Sequence, residues 1–193
     1  DGRVVRRFRA QPGGRMVVAL RPVLHGALLE AVGQDAITLD SDVVAVDGAG
    51  APVRDALLWN DTRSAGAARD LVAEMGGPQA CADAVGSVLV ASFTSSKLRW
   101  LRDHEPDHAA RVRSVRLPHD HVSLHLSAPG TSVFTDRGDA SGTGYFSAPD
   151  DAWRPDLVAL ALGHEVDLPR IVAPGAVAAE TPHGAVVAGG TGD

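Results

Sequence analysis

Short apolar runs alternate with capped, amphipathic stretches from Ala56 to Ala188, and this alternation limits the fold more than any other property of the chain. A helix repeats its apolar residues every three to four positions, whereas a buried strand reads as a short continuous apolar run. Ala56 to Trp59 is such a run, and a buried strand is expected there. Asp61 or Thr62 can cap a helix with Ala68, Leu71, Val72 and Met75 on its apolar face, stopped by Gly76, Gly77 and Pro78. Thr94 or Ser95 can cap a second helix carrying Leu98, Trp100 and Leu101, ended by Pro106. Val112 to Leu117 reads as a strand, and Asp120 to Leu126 as a short helix before the turn at Pro129 and Gly130. Pro155 suits the first turn of a helix through Leu162, with Gly163 after it, and Ala185 to Ala188 reads as a last strand. Strands alternating with helices predict an α/β domain.

Upstream, Val17, Val18 and Leu20 suggest a strand. Pro22 to Val32 suggests a helix, and Ala36 to Val46 a β segment ending in the turn Asp47 to Gly50. Aromatic residues make up only 4%, so the core has to be aliphatic and alanine-rich. The net charge of -6 comes from both signs mixed along the chain, which leaves no basic stripe for nucleic acid. A single cysteine, Cys81, excludes a disulfide framework and suits a reducing, cytoplasmic compartment; it is expected to be a small buried residue. No apolar run reaches the length of a membrane span, and no signal peptide is visible. The chain begins at Asp1 without a methionine and is read as a piece of something longer.

The segment Ser92-Phe93-Thr94-Ser95-Ser96-Lys97-Leu98-Arg99-Trp100-Leu101-Arg102-Asp103-His104 places Lys97 and Trp100 on one helix face, three residues apart. Alone it could be a plain surface helix. Its constrained positions nevertheless match the first signature of the FGGY-type carbohydrate kinases, and other segments follow in that family's order. Leu57-Leu58-Trp59-Asn60-Asp61-Thr62-Arg63-Ser64 resembles the strand-to-loop segment that approaches the sugar in the xylulokinase branch. Leu117-Pro118-His119-Asp120 and Thr135-Asp136-Arg137-Gly138-Asp139-Ala140-Ser141-Gly142-Thr143 resemble two further stretches of the family. Val186 to Asp193 resembles the strand and glycine turn that open the second domain. The resemblance runs from about Val44 to Asp193, leaving residues 1–43 as an atypical N-terminal segment. It implies an incomplete ribonuclease-H-like domain of the actin and sugar-kinase superfamily.

The resemblance also implies a chemistry, ATP-dependent phosphorylation of a ketose, with D-xylulose favoured and sister sugars open. Asp193 is then the general base that takes the proton of the attacking hydroxyl, with Mg2+ accompanying ATP. Gly189, Gly190 and Gly192 let the backbone turn tightly and approach phosphate. Trp59 would supply an apolar wall against the sugar, with Asp61 and Arg63 as polar contacts. The structural alternative is Trp59 in the core and Asp61 as a cap with Arg63 its exposed partner. Ser92 falls where related glycerol kinases place a substrate-contacting aromatic. Asp136 and Asp139 are expected to order their own loop. The partners implied are a small sugar and ATP, without nucleic acid or membrane, and a homodimer in the full-length enzyme.

Two family features are missing. No Asp-x-Gly-Thr-type phosphate turn occurs in Asp1 to Val43, and Thr38 to Val43 occupies the place of a sugar-contact motif. The isolated chain is therefore expected to be inactive. Arg21 to Ala31 followed by Ile37 to Val46 resembles a segment of class A flavin monooxygenases, although the dinucleotide fingerprint is absent. A flavin-enzyme fragment and a non-catalytic sugar-binding module stand as rival readings. His119, His121 and His125 could suggest a metal site, but the glutamate of a zinc-protease motif is lacking and no metal is assigned.

Overall fold

The middle of the chain folds around one helix that mixes hydroxyl, charged and apolar residues yet is almost wholly enclosed. In a computed structural model, which describes residues 44–190, strand β1 is Val44–Val46. After the Asp47 to Gly50 turn, closed by the Asp47 carboxylate accepting the Ala49 and Ala51 amides, the chain runs irregularly to Asp61. The strand expected over Ala56 to Trp59 does not form. Leu57 is buried, but Trp59 is 67% exposed, and the Asp61 amide donates to the Leu58 carbonyl to make a turn. An apolar run without a paired neighbour has no ladder to satisfy its backbone, so only its central leucine goes inward.

Asp61 caps as expected, but it caps a single 3-10 turn, Thr62–Ser64, which leads into helix α1, Ala65–Glu74. Gly76 and Gly77 end this helix; Pro78, read as part of the stop, instead opens helix α2, Pro78–Val85, which Gly86 closes in the left-handed conformation. Helix α3 spans Thr94–His104. Its N-cap is Phe93, with no side-chain cap, so neither Thr94 nor Ser95 caps it. The Ser95 amide is satisfied by the Thr143 carbonyl, and the Ser96 hydroxyl donates to Val90. Pro106 starts another helix, α4, Pro106–Arg111.

Strand β2, Ser114–Arg116, pairs antiparallel with β1. Helix α5, Pro118–Leu126, begins with the Leu117 amide held by the Asp120 carboxylate. Strand β3, Phe134–Asp136, and helix α6, Arg137–Ser141, follow. The short pair β4, Phe146–Ser147, and β5, Ala152–Trp153, leads to helix α7, Pro155–Leu162. Strand β6, Arg170–Val172, returns to lie parallel to β3. Strands β7, Val177–Glu180, and β8, Val186–Ala188, form an antiparallel hairpin. The elements expected over residues 17–32, and most of Ala36 to Val46, lie outside the described residues.

Helix α3 packs on α7 and α1, with Leu98, Leu101, Val158, Ala161, Leu162 and Leu71 closing the core between them. Thr94 to Arg99 and Leu101 are all buried, which rules out the plain surface helix. Buried Arg99 forks onto both oxygens of Glu74 at 2.8 Å and reaches Asp103 at 2.7 Å, tying α3 to α1. Arg102 donates to the Leu160 carbonyl at 2.8 Å, where the last turn of α7 leaves acceptors free. The core is aliphatic as expected, with Tyr145 and Phe146 its largest enclosed rings. Cys81 is buried as well, its thiol directed at the Ser87 carbonyl.

Candidate functional site

Three segments meet at the N-terminal end of α3. Ser64, at the close of the 3-10 turn, is fully buried and its hydroxyl donates to the Ala91 carbonyl at 2.8 Å. That bond ties the Trp59 to Arg63 loop to the loop carrying Ser92. From below, the Lys97 ammonium donates to the Leu58 carbonyl and reaches the Asp61 carbonyl at 3.5 Å. From outside, the Arg63 guanidinium lies over the Trp100 ring, 5.1 Å from its centroid. The Trp59 to Arg63 loop and the loop carrying Ser92 are thus joined beside the N-terminal end of α3.

Their individual environments differ. Trp59 stands exposed, so the core alternative for this ring does not hold. Asp61 does act as a cap: one oxygen accepts the Arg63 amide at 2.9 Å and the other pairs with the Arg63 Nε at 2.8 Å. The Arg63 N–H and then its guanidinium, against a burial penalty, hold the Asp61 carboxyl below the usual aspartate range. Ser92 is exposed at the turn before α3. A cavity beneath the loop, lined by Arg54, Leu57, Lys97 and Leu101 among others, offers about 20 Å³. That is room for about a water molecule and no more.

The glycine turn forms a second cluster. Gly189 and Gly190 are glycines for reasons of space rather than of left-handed backbone, since neither has a positive φ. A Cβ on Gly189 would come within 2.8 Å of the Ala173 carbonyl, and one on Gly190 within 2.8 Å of Asp136 Oδ2. The expected tight-turn role is therefore corrected at these two positions to close packing. The Gly189 amide is engaged by the Ala176 carbonyl, which leaves Gly190 as the exposed glycine of the pair. Gly192 and Asp193 lie outside the described residues.

Beneath Gly190, Asp136 caps α6 by accepting the Asp139 amide at 3.0 Å, so it does order its own loop. His119 Nε2 lies 2.7 Å from Oδ1 of the enclosed Asp120 and 3.4 Å from Asp139. Burial opposes protonation of His119, but Asp120 and then Asp139 and Asp136 outweigh it and raise the imidazole above its usual range. Burial, reinforced by Asp136 and Asp120, pushes the Asp139 carboxyl up although His119 pulls the other way. Ligand-capable atoms of His119, Asp136 and Asp139 lie within 4.8 Å of one another, a grouping that the sequence spacing did not suggest. His121 and His125 lie with their rings tilted and 4.3 Å apart on α5 and take no part in it. Sequence reasoning also missed Ser64, and it read Lys97 only as a helix-face partner of Trp100.

Comparison with known proteins fits this arrangement. Residues 34–192 match the FGGY family of carbohydrate kinases, N-terminal domain. The match takes in the Ile37 to Val46 stretch, which is thereby placed with the kinase domain rather than with a flavin enzyme. The xylulose kinase of Streptomyces coelicolor is 46% identical over 159 residues, 78% of this chain and 32% of that protein. The crystal structure of xylulose kinase from Bifidobacterium adolescentis superposes with a TM-score of 0.72 at 31% identity, over 80% of this chain and 40% of that one. A Brucella ovis kinase structure of the same type follows at 0.71 and 30% identity, over 87% of this chain and 36% of that one. The chain spans about a third of the length of the curated relatives it matches. Its α/β architecture is part of the ribonuclease-H-like fold those kinases share. The chain belongs to the FGGY family of carbohydrate kinases, within their N-terminal domain.

Proposed function

We propose that this chain is the sugar-binding part of an ATP-dependent ketose kinase that converts D-xylulose to D-xylulose 5-phosphate. The observation that carries the reading is Trp59. A large ring that is 67% exposed gains nothing from the core, yet its loop is fixed from below and beside by Lys97, Ser64 and Arg63. Holding an apolar surface out on a fixed loop suits stacking against a sugar. Asp61 and Arg63 offer a carboxylate and a guanidinium beside it, and Ser92 a hydroxyl. The relatives named xylulose kinase favour xylulose among ketoses.

In this reading Asp193 takes the proton from the attacking sugar hydroxyl, and the backbone at Gly190 and Gly192 admits the phosphate chain. ATP supplies the γ-phosphoryl group. Gly190 fits that task, because it is exposed and carries no side chain between Asp136 and an incoming phosphate. Mg2+ would accompany the nucleotide. His119, Asp136 and Asp139 are the one group of cation-capable residues among those described, and they already engage one another or Asp120, so no step is routed through them. A cytoplasmic location and a homodimeric parent complete the proposal.

Titrating the chain with D-xylulose, with D-ribulose and glycerol as controls, tests it through tryptophan fluorescence. The expected result is a saturable change selective for xylulose and lost in Trp59→Ala, with no ADP release from ATP by this chain alone. A folded chain that ignores all three compounds refutes the sugar-binding reading.

A further inference from the structure

We propose that Lys97 is the positioning residue of the sugar-facing loop, its buried ammonium fixing the Leu58 to Asp61 turn that holds Trp59 out toward ligand. The inference deepens the sugar-binding reading and rests on it for the identity of the ligand.

Lys97 is 2% exposed, in a helix whose neighbouring positions are filled by core residues. An enclosed ammonium is strongly destabilising unless it is well bonded. If Lys97 only filled space, an apolar side chain of the same length would serve better. The partners of the ammonium say what it does instead. They include two backbone carbonyls, those of Leu58 and Asp61, which flank the exposed pair Trp59 and Asn60. The Leu58 carbonyl also accepts the Asp61 amide at 3.1 Å, so one oxygen closes the turn and anchors it to α3.

Trp59 and Asn60 pack against little, so the carbonyls on either side are where this stretch of loop can be held. A lysine suits the task better than an arginine. Its compact ammonium has three donors that can serve two convergent oxygens, whereas a guanidinium is a planar fork. The Arg63 and Trp100 contact holds the far end of the same loop on the same helix. Holding the loop in place before ligand arrives removes an ordering cost from binding.

The test compares Lys97→Met, which keeps the stem and removes the donors, with Lys97→Arg, in the full chain. Amide hydrogen exchange is followed at Asp61, and the Trp59 environment by fluorine NMR of 5-fluorotryptophan-labelled protein, assigned with Trp59→Phe. In Lys97→Met the Asp61 amide is expected to exchange at least about tenfold faster, while amides within α7 keep their protection. The Trp59 resonance should shift, and the apparent Kd for xylulose should rise by about tenfold. Lys97→Arg should recover part of each effect. Equal loosening of α7 and Asp61 would mean that Lys97 merely supports the fold, and unchanged Asp61 exchange would mean that it does not hold the loop; either overturns the proposal. Should Lys97→Met not fold, Lys97→Gln, which keeps a donor on a shorter stem, carries the same comparison. The exchange measurement needs no sugar, so a wild-type chain that ignores xylulose sinks the choice of ligand while the role of Lys97 is decided by exchange alone.

Discussion

Gly144→Ala should be among the more damaging small substitutions in this chain, and Gly86→Ala is its natural control. Both glycines sit in the left-handed region, at φ +79 and φ +80. For any other residue that conformation costs about 1–2 kcal/mol, partly offset by about 0.4–1 kcal/mol from a stiffer unfolded chain. At Gly86 a methyl group meets nothing within 4 Å, so the expected loss is about 1 kcal/mol. At Gly144 the methyl would collide with Ser95 Oγ and lie 2.6 Å from a Leu89 methyl. Ser95 is nearly fully buried and starts α3, so it has little room to yield, and overpacking adds about 1–3 kcal/mol. The gap of about 2 kcal/mol between the two variants corresponds to about 4–8 °C in Tm for a chain of this size. Thermal melts followed by circular dichroism, together with urea titrations, measure it. If the two variants melt within about 2 °C of each other, the contact between Gly144 and α3 is not a tight one and the reasoning fails.

Other outcomes follow from single contacts. Trp59→Ala should change unfolding free energy by no more than about 0.5 kcal/mol, because the exposed ring packs on little, while removing the sugar-dependent fluorescence change. Acid should weaken the junction of α3 and α1. The Arg99 hydrogen bonds lower the Glu74 carboxyl against a smaller burial penalty, and at Asp103 burial pushes upward but Arg99 and Arg102 outweigh it. Folded values below the unfolded ones mean stability that is fully present above the unfolded carboxylate values and lost as pH falls from there through the folded ones, so Arg99→Met should flatten the acid side of a urea-midpoint profile. The raised His119 has the opposite sign. Its contribution is complete below the unfolded histidine value and fades as pH rises through the folded one, and NMR titration should place the ring above the usual range in wild type and lower in Asp120→Asn. Trp153→Phe should cost about 1 kcal/mol, chiefly the indole bond to the Pro169 carbonyl, and a urea titration measures it.

Much of the architecture was legible because it is local. Apolar spacing, with proline and glycine at helix ends, located the helices ending at Glu74, His104, Leu126 and Leu162, although the cap expected for the second of them does not form. The helix at Pro78 was hidden because proline was taken as an end when it was also a beginning. The strand expected before Trp59 failed because an apolar run does not reveal whether a partner strand lies beside it. Strands β3 to β7 escaped notice because they are only two to four residues long, too short for a period to show, and β3 and β6 are in addition fixed by partners far along the chain. At the candidate site, Trp59, Asp61, Arg63 and Ser92 stood out in the sequence as residue types, through the segments they occupy. What holds them did not, since the acceptors of Ser64 and Lys97 are backbone carbonyls, and any residue type supplies a carbonyl.

The parallel pairing of β3 with β6 sets an order of assembly. Residues 137–169 separate the two strands, so their ladder closes a long loop and forms late compared with contacts inside α3 or between neighbouring helices. Gly190 rests on Asp136 at the end of one strand, and Gly189 on Val172 and Ala173 at the end of the other. The glycine turn therefore has no seat until both strands are in place. The direct anchors of the Trp59 loop, Ala91, Lys97 and Trp100, lie nearer in sequence and emerge earlier during synthesis. A nascent chain would have the anchors of the Trp59 loop in hand while the glycine turn still lacked its seat, so the two segments mature at different moments of the chain's synthesis.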